Sequence, residues 1–247
     1  MLKKHDLVKA MATGVMAAGL ALPGSGVFAA QTDKPNLIII LTDDQGYGDL
    51  GVQPSTLPIE TPNIDQLAQE GARLTNAYAA CPVCSGSRAC LLTGRYGPRF
   101  GYYENWESQV GMPTDVKTPP DYLKPLGYKT ALIGKWHLGH DPEDHPMQRG
   151  FDRFFGILGG QHDYFRPDLG SSWFEGPYGV SNTLDNTTVV NSVDYYTDEL
   201  TQRATDFIDE TATAGDPFFL FLSYTVPHAP QQATDADLAP YADDPDM

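Results

Sequence analysis

Cysteine is scarce in this 247-residue chain: there are three, Cys81, Cys84 and Cys90, all within ten residues of one another. A disulfide-stapled exported domain spreads an even number along its length, so this is not a disulfide scaffold. Cys81-x-x-Cys84 could form a redox pair or half a zinc site, but no second pair exists to complete the latter. Positive charge is short as well, with 16 Lys and Arg against 32 Asp and Glu and a formal charge of −16. That balance excludes nucleic acid as a partner, because phosphate binding needs a basic footprint. It also repels anions at long range, so an anion site must be built locally from a few fixed positive groups. Beyond the first thirty residues no apolar run approaches the roughly twenty residues needed to span a bilayer. Internal repeats and low-complexity segments are absent too, which excludes a solenoid.

The first thirty residues are a separate matter. Lys3, Lys4 and Lys9 precede a small-residue apolar run from Ala10 to Leu22, then Val27-Phe28-Ala29-Ala30. This reads as a signal peptide (1–30) cut after Ala29 or Ala30, with Gly14, Gly19 and Pro23-Gly24 breaking the run too often for stable membrane insertion. The expected destination is the periplasm or the exterior. Residues 31–247 then suffice for one large core.

Along that body, short β-branched runs alternate with helical periodicity. Asn36 to Thr42, Lys129 to Ile133 and Pro217 to Ser223 read as buried strands. Arg73 to Ala79 reads as another strand. Asn63 to Gly71 reads as a helix stopped by glycine, and Asp198 to Thr211 as a helix capped by Thr197. Gly139 to Thr197 reads as long decorated loops, with His140, His145 and His162 among their loop or surface residues. The predicted fold class is α/β, a mostly parallel sheet covered by helices on both faces. In such sheets the ligand crevice lies at the carboxyl ends of the strands. Asp43 and Asp44 follow the first strand, Lys135 and His137 the second, and His228 the third.

Each of these residues has two readings. Asp43 and Asp44 are either an ordinary turn or paired carboxylates that need a divalent cation. All-oxygen ligands favour calcium, with magnesium second, over zinc. Cys84, at an expected helix start, is either a buried structural thiol or a nucleophile in an anion-favouring field. Arg88, one turn on, is either a surface arginine or the oxyanion partner. Lys135 and His137 alternate, so an extended backbone would aim both the same way, one to hold negative charge and one to move protons. His137 and His228 also have structural readings. Among the loop aromatics, Tyr102, Tyr103, Trp106, Tyr164 and Trp173 suit either sugar stacking or loop packing.

Cys84-Ser-Gly-Ser-Arg88 with Leu92-Thr-Gly-Arg95 resembles the signature of the type I sulfatases, alkaline-phosphatase-like enzymes whose motif cysteine is oxidised to formylglycine. Pro35 to Asp49, Thr61 to Asp65, Gly134 to Gly139, Gln148 to Asp152 and Pro217 to His228 resemble further blocks of that family, in its order. The resemblance implies a sulfuric ester hydrolase in which Asp43, Asp44 and modified Cys84 bind calcium. Arg88 and Lys135 would hold the sulfate oxygens, His137 would act as base on the aldehyde hydrate, and His228 would face the leaving group. It further implies a sulfated small molecule or carbohydrate as substrate and a formylglycine-generating maturation enzyme as partner. A phosphoester or phosphonate hydrolase of the same superfamily and a non-catalytic remnant are the competing readings. Gly86 stands where the family has proline. The family's further calcium ligands, an Asp-Asn pair, and another lysine have no match before Met247, so 31–247 is expected to be a truncated N-terminal catalytic domain, weak in calcium binding and slow in turnover.

Overall fold

The computed structural model describes residues 34–54, 59–105, 110–167 and 182–242. The proposed leader lies outside them, as do Trp106 and Trp173. Six strands form one sheet: β1 (Leu37–Asp43), β2 (Lys129–Lys135), β3 (Arg153–Ile157), β4 (Leu184–Asp185), β5 (Thr188–Val189) and β6 (Phe218–Pro227). Their order is β1-β6-β2-β3-β4-β5. The first four in that order run parallel, and β4 and β5 add antiparallel to one edge. Among the described residues five α-helical segments accompany them: α1 (Pro62–Glu70), α2 (Cys84–Thr93), α3 (Pro119–Leu123), α4 (Tyr196–Ala214) and α5 (Asp235–Leu238).

The two-residue period of the strands sorts their side chains into two cores. Leu132, Phe154, Phe219 and Phe221 join Ala89 and Leu92 of α2 on one face. Ala131, Ile133, Phe155, Phe218, Leu220 and Leu222 meet Leu200, Ala204 and Phe207 of α4 on the other. On α4 the buried residues Tyr196, Leu200, Ala204, Phe207 and Thr211 recur every three or four positions, the stripe a packed helix needs. Gly215, left-handed at φ +74°, ends it. Among the described residues no helix is long and apolar enough to cross a membrane.

Several expectations change. Arg73 to Ala79 forms no strand: it has no ladder partner among the described residues, and Leu74 and Tyr78 stay exposed. The stretch from Gly139 to Thr197, read as loops, contains β3, β4 and β5. β3 carries the buried run Phe154 to Ile157, too short between its polar flanks to stand out in the sequence. Tyr195, not Thr197, precedes α4. β1 is only half buried. Ile39 and Leu41 pack against the α2-side core, while Leu37, Ile38 and Ile40 remain exposed. Ile38 and Ile40 pair in register with Leu220 and Leu222, so they stand on the α4 face, but α4 packs over β2, β3 and β6.

Candidate active site

Local folding delivers each predicted residue. β1 ends at Asp43, and Asp44 turns into the left-handed region at φ +63°, which short polar side chains tolerate best. The two carboxylates differ in exposure: Asp43 is buried, and the Asp44 side chain is 63% exposed. Val83 is extended and α2 begins at Cys84, so the thiol sits at a helix N-terminus. Arg88 follows one turn later.

Arg88 is no surface arginine; it is 1% exposed. Its Nη2 lies 3.3 Å from Asp43 Oδ1, while Lys135 Nζ lies 2.5 Å from Asp43 Oδ2. One carboxylate therefore faces two cations, one at each oxygen. The like-charge problem posed by Asp43-Asp44 is met by Arg88 and Lys135 within the protein. Such a buried group is strongly interdependent, since removing one partner of a buried pair costs about 3–5 kcal/mol. Arg88 Nη1 also donates to the Lys135 carbonyl (2.9 Å) and to the Ser223 hydroxyl, which itself donates to that carbonyl at 2.7 Å. The Arg88 Nε–H is buried without a hydrogen-bond acceptor. A buried guanidinium with an unused donor is suited to an incoming oxyanion. Burial lowers the pKa of both Arg88 and Lys135, and for Lys135 the adjacent guanidinium lowers it further.

Around this core stand Cys84 and two histidines. Ligating atoms of Asp43, Cys84 and His228 all lie within 4.8 Å of one another. His228 Nδ1 is 2.7 Å from the Ala229 carbonyl, which assigns it the ring proton and leaves Nε2 for Cys84 and for Asp44 Oδ2 at 3.7 Å. The hydrogen bond between them lowers the Cys84 pKa and raises that of His228; Lys135 lowers the thiol's further, and burial opposes both shifts. His137 moves the other way. Burial, then the charges of Lys135 and Arg88, hold its pKa well below 6.5. His137 does not reach the site by strand alternation, as expected from sequence: β2 stops at Lys135, and His137 is left-handed at φ +59°.

Reading the sequence alone missed the supports. Ser85 Oγ donates to the His137 carbonyl (2.7 Å) and lies 2.6 Å from the Tyr102 hydroxyl. Tyr164 Oη lies 2.8 Å from both the Thr225 and His228 carbonyls. Tyr102 and Tyr164 are thus buried packing residues and not sugar platforms, whereas Tyr103 is exposed. Ser223 had a visible signal, a hydroxyl closing the apolar run Phe218 to Leu222. His140, His145 and His162 lie outside the helices and strands, as read, but are buried and not on the surface. His145 Nδ1 accepts from Met147 N–H, and its Nε2 is 3.0 Å from the Asn186 carbonyl. His162 stacks on Tyr196. A cavity of about 380 Å³ between α4 and the strands is lined by Arg153, Asp185, Arg203 and Glu210 and by none of the site residues.

The family model described as Sulfatase matches residues 35–246. The chain belongs to the sulfatase family. It is similar to N-acetylgalactosamine-6-sulfatase of Sus scrofa, 36% identical over 244 residues, covering 89% of this chain and 44% of that protein. Arylsulfatase G of Rattus norvegicus is 34% identical over 259 residues, covering 92% and 48%. Among solved structures, Ps i-CgsB in complex with k-i-k-neocarrahexaose has a TM-score of 0.77 and 39% identity, covering 87% of this chain and 49% of that one. BT4656 in complex with its substrate D-glucosamine-2-N,6-O-disulfate has a TM-score of 0.68 and 30% identity, covering 85% and 38%. The chain spans about half the length of the curated relatives it matches. Its mixed, mostly parallel sheet with helices is the sulfatase, alkaline-phosphatase-like architecture.

Proposed function

We propose that this chain carries the nucleophile-bearing half of a sulfuric ester hydrolase, with position 84 matured to formylglycine. The observation that carries this reading is the buried Arg88–Asp43–Lys135 cluster beside Cys84 at the start of α2. It places two fixed cations and an unused N–H next to the expected nucleophile, in an otherwise acidic protein.

The donor set bears on calcium. Of the three clustered groups, Asp43 offers hard oxygen, but an unmodified Cys84 adds sulfur and His228 adds nitrogen, a combination that suits softer metals; Asp44 lies outside that cluster, 3.7 Å from His228. Replacing the thiol with a hydrated aldehyde turns that third position into oxygen, which fits calcium; magnesium, more demanding of octahedral geometry, fits less well. Asp43, Asp44 and residue 84 would hold the ion. In that state residue 84 supplies two hydroxyls on one carbon, and the ion supplies positive charge to the sulfuryl oxygens.

The remaining work falls to side chains of this chain. Arg88 and Lys135 bind and orient the sulfate oxygens in a site already shielded from water. The two histidines sit in different environments, which supports different roles for them. His137, held neutral by burial, is the proton acceptor. His228, whose Nε2 faces residue 84 and Asp44, stands on the side where the alcohol leaves. An alcohol leaves more readily with a proton than as an alkoxide.

We infer that the substrate is a sulfated carbohydrate, since relatives are an N-acetylgalactosamine-6-sulfatase and a protein crystallised with a glucosamine disulfate. A formylglycine-generating enzyme is the maturation partner this implies. The leader-like first thirty residues support export to the periplasm or beyond. The test is mass spectrometry of the Cys84 peptide after co-expression with that enzyme, followed by calcium-dependent release of sulfate from sugar and aryl sulfates against phosphate from aryl phosphates. Formylglycine lies about 18 Da below cysteine, the difference between thiol and aldehyde. Persisting cysteine, or faster phosphate than sulfate release, overturns the proposal.

A further inference from the structure

The geometry points to Gly160 as a positioning residue for His137: its missing side chain is the space in which the imidazole sits. The main chain of His137 is already fixed. Its N–H donates to the Leu158 carbonyl (3.1 Å), and its own carbonyl accepts from Ser85. Its left-handed φ is uncommon for a residue with a branched ring, and such conformations persist only where the surroundings over-determine them. The ring has a different neighbour. A Cβ built on Gly160 would fall 2.6 Å from His137 Cε1, 2.7 Å from Nε2 and 3.2 Å from Nδ1. Real Cβ atoms do not approach that closely, so even a methyl group at 160 would evict the imidazole.

Glycine is not needed here for its backbone. Gly134, Gly139, Gly150 and Gly156 all have positive φ, and Gly160 does not. With no positive φ to accommodate, space for the ring is the physical reason for glycine at this position. Gly160 lies three residues past β3, the strand hydrogen-bonded beside β2, so both sides of the ring's seat come from neighbouring strand ends. The ring is buried, with Nδ1 lacking a hydrogen-bond partner. Its orientation is therefore set mainly by shape, and Gly160 supplies one wall of that shape. The catalytic consequence rests on His137 being the proton acceptor proposed above; the steric coupling does not.

Two measurements decide it. In a double-mutant cycle on this chain, Gly160→Ala is expected to lower the denaturation midpoint in the parent and to be close to neutral in a His137→Ala background. If Gly160→Ala alone fails to fold, the double variant must recover folding. Additive effects in the two backgrounds, or a double variant that stays unfolded, would overturn the inference. In the second measurement, the His137 ring is titrated by NMR. Burial holds its pKa down, so displacement by Gly160→Ala should raise it toward 6.5. An unchanged titration rejects the role. In the mature, calcium-loaded protein the same variant should lower kcat by about 100-fold with KM nearly unchanged, the penalty of a misplaced group. Should the parent release no sulfate, the proposed function fails while the cycle and the titration still judge Gly160.

Discussion

Gly86 occupies the third position of α2, in the place where the family motif has proline, and the structure gives it a local reason. A Cβ there would lie 2.5 Å from Cys81 Sγ and 3.3 Å from the Tyr103 carbonyl. The thiol of Cys81, itself 3.5 Å from that carbonyl, fills the volume a side chain at 86 would need. Cys81 is therefore matched to Gly86 by packing. In an open helix, Gly→Ala stabilises by about 1 kcal/mol. Here Gly86→Ala should gain nothing or destabilise by about 1 kcal/mol, because the thiol must move. In a Cys81→Ala background the ordinary gain of about 1 kcal/mol should return. Urea unfolding of the four variants measures this. Equal stabilisation in both backgrounds would show that Cys81 does not set the constraint.

Among the elements, what could be foreseen depended on whether an element carries its own signal. α4 announces itself through Leu200, Ala204 and Phe207, and β6 through Phe218 to Leu222, so both lie where periodicity predicted. β3 and the Arg73–Ala79 stretch do not, because short runs become strands only if the fold brings them a partner. The same holds for the site. Asp43, Lys135 and His228 meet at the strand ends the sequence pointed to, and Cys84 and Arg88 join them from the start of α2. The hydroxyls of Ser85, Tyr102 and Ser223 depend on tertiary contacts that no spacing reveals. Asp144 is a further case of this kind. It sits in a short helical turn, Pro142–Asp144, with its carboxyl packed against Gly111 and Gly139. Burial raises its pKa from 3.8 to about 6, with Arg149 only partly offsetting the shift. A raised carboxyl pKa means the charged form is worse in the folded than in the unfolded state. Asp144's favourable contribution is then complete below pH 3.8 and lost as pH rises through about 6. Asp144→Asn should therefore stabilise the chain at pH 7 by about 1–3 kcal/mol, with the advantage vanishing near pH 4. Denaturation midpoints of both proteins across that range test the sign. A variant less stable than the parent at pH 7 would mean the Arg149 interaction outweighs the desolvation.

At the scale of the molecule, the sheet is finished on one side and open on the other. The β5 side ends in two-residue antiparallel strands, a short edge that offers little to pair with. β1, at the opposite edge, is seven residues long and apolar, with Ile40 56% exposed beside exposed Ile38 and Leu37. Among the described residues no strand pairs with this hydrophobic edge, which makes it a template for another strand, and the formal charge of −16 opposes association only at long range and low salt. The isolated chain should consequently self-associate, more so as salt screens its charge. Ile40→Lys removes an exposed apolar group that stands outside both cores, so it should leave the unfolding free energy within about 0.5 kcal/mol of the parent. It should also bring a charge to the edge that resists pairing. Light scattering and sedimentation at low and high salt would then show the variant monomeric at concentrations where the parent associates. If parent and variant associate equally, the contact lies elsewhere, and the exposed helix α1, with Leu67 62% accessible, becomes the next surface to alter.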